Sequence, residues 1–179
     1  LDAAGPDRNL LVEQYERGWD VLGSPPPDEY AIAVQNLLPE VTSLSYYWVE
    51  IKNAPYRTLG DHHGAGLVYD LPECFTVVSH DQLRRWGVEF EQAFDAALAN
   101  LRKKSLPAKF RRHSCGLYVS DYGDAHDPAR LLLAEVFDDL DLEGDPVVIA
   151  PNRGTLLITG SDNPAGLQAM GELATQLID

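Results

Sequence analysis

The sequence predicts an α+β fold: a short, mostly antiparallel sheet packed by several helices, with an N-terminal helical hairpin. Three observations predict it. Helical and strand patterns alternate along the chain without the regular rhythm of a doubly wound parallel sheet. Residues 89–104 line up Phe90, Phe94, Ala97, Leu98 and Leu101 as one apolar stripe. Glu89, Glu91 and Asp95 lie early in that segment and Arg102, Lys103 and Lys104 late, the order a helix dipole favours. Finally, residues 146–150 and 155–159 read as strands joined by Pro151-Asn152-Arg153-Gly154, a hairpin link with a terminal glycine.

Taken in order, residues 7–22 place Leu11, Tyr15, Trp19 and Leu22 on one helical face. Gly23 stops that helix, and Ser24-Pro25-Pro26-Pro27 is a stiff joint. The division expected is a helix over 1–24 and a single α+β domain over 25–179, the two packing as one unit. A second helix is expected from residue 27 or 28 to 38, because Asp28 and Glu29 suit a helix start and Pro39 blocks continuation. Residues 43–51 are aromatic and β-branched, and predict a strand with Tyr46, Trp48 and Glu50 on one face. The glycine-rich stretch 60–66 predicts a loop, and 67–69 and 75–78 short strands. Ser79 is a suitable N-cap for a helix over 80–86, which Gly87 separates from the long helix.

In the last third, 116–120 predicts a strand and 128–140 a helix with Leu131, Leu132, Val136 and Leu140 inward. Asn163-Pro164 opens a closing helix through 178, with Leu167, Met170, Leu173 and Leu177 inward.

Composition narrows the function. Hydrophobic residues make up 45% of the 179, enough to fill a core. Twenty-eight acidic residues against 14 basic ones give a net charge of -14, which repels phosphate backbones and anionic membranes. No apolar run approaches the roughly 18 residues a membrane span requires. No signal segment opens the chain, so a cytoplasmic bacterial protein is expected, with a true start upstream because Met is missing. Cys74 and Cys115 make neither a disulfide framework nor a zinc site by themselves, and no cofactor is expected.

Few groupings carry chemistry. Asp61-His62-His63, between glycines, offers two imidazoles and a carboxylate for a divalent metal or a general base. Adjacent histidines point apart on extended backbone, so a solvated turn is the competing account. Asp121, Asp124, His126 and Asp127 form a second cluster, in which Asp127 before Pro128 reads as a helix N-cap. The run 139–145 mimics the opening of a calcium loop, yet Ala150 stands where a bidentate carboxylate belongs, which leaves an acidic turn. The basic run 102–112 reads either as a docking patch or as a solvated helix end. Arg153 in a hairpin tip is placed to clamp a carboxylate or phosphate, or to pair with Asp145 or Asp162.

Two blocks resemble a known family. Leu67-Val68-Tyr69-Asp70-Leu71-Pro72, Val77-Val78, Leu83, Trp86-Gly87, Ala97, Asn100 and Leu101 form the first. Gly144-Asp145, Val147-Val148, Pro151, Arg153 and Leu156-Leu157 form the second. Both resemble the YtpQ-like family of uncharacterised bacterial proteins, and Asn9-Leu10, Tyr15 and Leu38-Pro39 fit it in looser form. The resemblance implies an α+β fold, a bacterial cytoplasmic origin and longer relatives, and it carries no catalytic residues.

Two function classes follow. The favoured one is a non-enzymatic interaction or regulatory module that binds another protein or a second copy of itself through Tyr46, Trp48 and Arg153. The alternative is a metal-assisted hydrolase on Asp61, His62 and His63, joined by His80 or His126.

Overall fold

Strand periodicity begins at Leu37, earlier than the aromatic run suggests. In the computed structural model, residues 30, 33–44, 51–70 and 75–178 are described. The expected 1–24 helix and the Tyr46–Trp48 segment lie outside them. A 3-10 turn, Val34–Asn36, leads into β1, Leu37–Ser43. The expected helix to residue 38 is therefore cut short, and Pro39 sits inside a strand instead of ending a helix. Pro39 is tolerated because β1 pairs only with β3 (His63–Asp70) among the described strands, so one of its backbone edges needs no donor there.

The first sheet is built around β3. β1 runs antiparallel along its whole length, while β2 (Tyr56–Leu59) and β4 (Phe75–Val77) share its other edge. Half of the expected 60–66 loop is therefore strand: the turn is confined to 60–62, and Gly64 and Gly66 pair with Thr42 and Glu40 on one side. Central ladder hydrogen bonds outweigh the low strand propensity of glycine.

Helix α1 (His80–Trp86) starts as expected at Ser79, whose Oγ accepts from the Gln82 amide at 3.2 Å. The Gln82 Oε1 in turn accepts from the Ser79 amide at 2.9 Å, completing a capping box. Gly87 closes the helix in the left-handed region with φ 67°. Helix α2 (Phe90–Ser105) buries Ala93, Phe94, Ala97 and Leu101, with Phe90 and Leu98 at the margin. These side chains cover Leu37, Leu38, Val41, Leu67 and Val68 of the first sheet.

The second sheet is also antiparallel, in the order β5 (Phe110–Arg112), β6 (Tyr118–Ser120), β8 (Thr155–Gly160), β7 (Pro146–Asn152). The β7–β8 hairpin forms as predicted, tighter, with only Arg153-Gly154 at its tip. Both faces of β8 are buried: Leu157 packs with Met170 and Ala174 of α3 (Pro164–Leu177), and Leu156 and Ile158 pack on the opposite side. Asn163 caps α3 as expected, its Oδ1 accepting from the Gly166 amide at 2.9 Å. Leu167, expected inward, is exposed, and Ala174 takes the inner place. Phe110, Leu131 and Phe137 pack against the cores of both sheets.

The expected 128–140 helix is not an α-helix. Two 3-10 turns replace it, Asp127–Leu132 and Ala134–Val136. Asp127, Pro128, Ala129 and Arg130 are consecutively buried, a pattern that one face of a surface α-helix does not supply.

Candidate functional site

Where the two sheets meet, the fold buries a cluster of ionisable side chains. Its centre is Arg130, with no exposed surface. Its Nη1 and Nη2 donate to the two oxygens of Asp124 at 2.8 and 2.7 Å, a bidentate pair. Nη1 also donates to Asp127 Oδ1 at 3.0 Å. The guanidinium lies 3.5 Å from the ring centre of Tyr122, whose hydroxyl donates to the Ser105 carbonyl at 3.0 Å. The 3-10 backbone brings Asp127 and Arg130 onto one side, since residues three apart eclipse in that helix.

His126 forms the second part. It is 5% exposed and lies between two strands of the first sheet. Its Nδ1 is 3.9 Å from Glu40 Oε2 on β1, and its Nε2 is 3.7 Å from Asp70 Oδ1 on β3. Both separations exceed hydrogen-bond reach, and Nδ1 has no hydrogen-bond partner. Each carboxylate meets a cation on its other side. Arg153 Nη2 donates to Glu40 Oε1 at 2.9 Å, and Lys104 Nζ to Asp70 Oδ2 at 3.2 Å. An alternating chain thus runs from the hairpin tip to α2: Arg153, Glu40, His126, Asp70, Lys104.

Burial shapes the charges. It pushes the Glu40 carboxyl up, against the pull of Arg153, and pushes the His126 imidazole down, against Asp70 and Asp124. Asp127 is raised to about 6 by burial, with Asp124 adding to the rise and Arg130 opposing it. For Asp124 burial also acts upward, but the hydrogen bonds and charge of Arg130 win, and its carboxyl stays below the usual range. Chemically the cluster can hold protons and tie segments together. Arg130, Asp127 and His126 are shut away, while Arg153, Lys104, Asp70 and Asp124 form a half-exposed rim.

The residues nominated from sequence are scattered. Arg153 joins the cluster, but its carboxylate partner is Glu40 rather than Asp145 or Asp162. His126, Asp124 and Asp127 also belong to it, and Asp127 pairs with Arg130 instead of capping a helix. Asp61, His62 and His63 are exposed at the β2–β3 turn, and His80 opens α1. Among the described residues, no three His, Cys, Asp or Glu side chains come together as a metal-binding group. Tyr46, Trp48 and Cys74 lie outside the described residues. The basic run is matched by acids, with Arg102 on Glu135, Arg111 on Asp121 and Arg112 on Asp141. Sequence reasoning missed Arg130 and Glu40. An arginine inside the apolar run Pro128-Ala129-Arg130-Leu131-Leu132-Leu133, three residues after an aspartate, is the signal that marks the first.

The fold and site define an α+β protein of two antiparallel sheets joined by a buried ionic cluster. Among known proteins, the chain is similar to the UPF0354 protein BH3252 of Halalkalibacterium halodurans, at 27% identity over 128 residues. The match covers 68% of this chain and 48% of that protein, so the chain spans about half the length of this relative. No protein-family model matches the chain. No solved structure matches it either. Among the described residues, no helix is long and apolar enough to cross a membrane.

Proposed function

We propose that the chain is a YtpQ-like, cytoplasmic, non-enzymatic module for protein interaction or regulation. Its partner is another protein or a second copy of the chain, met through Tyr46, Trp48 and Arg153. One observation carries the non-enzymatic reading. The densest collection of chemistry-bearing side chains in the described residues is committed to internal ties, with Arg130, Asp127 and His126 0%, 1% and 5% exposed. Catalytic groups have to reach substrate, and these three face partners inside the fold. Arg153, 43% exposed at a hairpin tip, is oriented by a buried carboxylate, which suits recognition of an anionic group on a partner. The similarity to the UPF0354 protein is compatible with the family proposed.

The test pairs chemical cross-linking in bacterial cells with light scattering of the purified protein. Arg153→Ala and the double variant Tyr46→Ala/Trp48→Ala are expected to lose a complex that the wild type forms, while keeping wild-type circular dichroism. Stoichiometric bound metal that disappears in His62→Ala/His63→Ala overturns this reading. It would make the metal-assisted hydrolase on Asp61, His62 and His63 the working model.

A further inference from the structure

His126 presents two nitrogens to two carboxylates, and a neutral imidazole carries only one N–H. Whichever tautomer it adopts, one lone pair faces an oxygen anion across less than 4 Å, inside the protein. We propose that Glu40 and His126 hold one shared proton, whose uptake closes a bridge from the Arg153 hairpin through β1 and His126 to β3.

Two observations support the bridge. Nδ1 of His126 is buried with no hydrogen-bond partner, and it faces Glu40 Oε2 at 3.9 Å. One added proton, on either atom, makes that contact attractive and lets it close to hydrogen-bond distance. The other charged groups around the pair are Asp70 on β3, Lys104 on α2, Arg153 on the hairpin, and Asp124, Asp127 and Arg130 of the 3-10 segment.

The second observation concerns the acidity of the two groups. Burial shifts the carboxyl of Glu40 upward and the imidazole of His126 downward, which narrows the ordinary gap between acid and base. Facing each other at 3.9 Å, the two groups titrate as a coupled pair, and the proton belongs to neither alone. It comes from solvent by way of the half-exposed rim at Asp70 and Arg153. No other bond is made or broken. The device is a pH-dependent latch: in mild acid the hairpin tip is held through Glu40 to His126 and onward to Asp70.

The test follows the ring nitrogens of His126 and the carboxyl carbon of Glu40 by NMR from pH 8 to 4.5 in the wild-type protein. One common midpoint, with Nδ1 gaining hydrogen-bond character while the fold persists, is the expected result. In Glu40→Gln the His126 midpoint is expected to move down by about one pH unit, because the facing anion is gone. Amide exchange around Arg153, corrected for its intrinsic pH dependence, is expected to slow in acid only in the wild type. Separate midpoints in the wild type overturn the proposal, as does an Nδ1 that stays unprotonated until the protein unfolds. The wild-type titration decides the question alone if Glu40→Gln does not fold.

Discussion

Arg130 is a charged residue with no exposed surface, and its two partners are unequal. Asp124 binds both terminal nitrogens and stays ionised, whereas Asp127 receives one bond and is raised to about 6. Replacing the cation by a hydrocarbon of similar length leaves a buried carboxylate, Asp127, beside the half-exposed one of Asp124 with no cation between them. Arg130→Met is therefore expected to lose about 3–5 kcal/mol in urea unfolding, with part restored by adding Asp127→Asn. Asp127 also sets a pH dependence. Its folded value lies above the unfolded 3.8, so its contribution is fullest below about pH 4 and is lost as pH rises through about 6. The span corresponds to roughly 2–3 kcal/mol. In Asp127→Asn the fall in stability between pH 4 and 7 is expected to shrink by that order, measured by denaturant midpoints at each pH.

Elements with local causes were legible in the sequence. Ser79 and Gln82 cap α1, and Gly87 ends it, because capping depends on four or five neighbouring residues. Ser79→Ala is expected to cost about 1 kcal/mol in thermal unfolding. Asn100 lies on α2. Its Nδ2 donates to the Val34 and Leu37 carbonyls at 2.7 and 3.0 Å, pinning the 3-10 turn and the start of β1 to α2. Asn100→Ala leaves both half-buried carbonyls without this donor, and is expected to cost about 1–3 kcal/mol by the same measurement. β1 itself was not legible. Leu37-Leu38-Pro39 looks like a helix end, and only pairing with β3 makes it a strand. β2 and β5 were missed for a related reason. They are three or four residues long, carry arginines, and exist through their neighbours' hydrogen bonds.

Across the whole molecule, the two sheets share side chains as well as charges. Phe110, Leu131 and Phe137 pack against both cores, and Arg153 of the second sheet bonds Glu40 of the first. Unfolding is therefore expected to be one cooperative event, with slowly exchanging amides of β3 and β8 reporting the same opening free energy. Phe137→Ala is expected to lower both values together by about 2–4 kcal/mol. Loss in only one sheet would mean that the sheets open independently.

The sequence by itself determined the α+β class, the long amphipathic helix, the helix caps and the β7–β8 hairpin. Each is written in a local pattern of apolar spacing, capping atoms or turn residues. It also pointed to Arg153 and to the acids around His126. Tertiary structure decided that Asp127 serves Arg130 rather than a helix terminus, that Glu40 of β1 answers Arg153 across 113 positions, and that His126 is enclosed between two carboxylates. Those assignments arise from burial. Moving a charge out of water costs several kcal/mol unless a partner is supplied, and the partner is chosen by which strands the fold brings together.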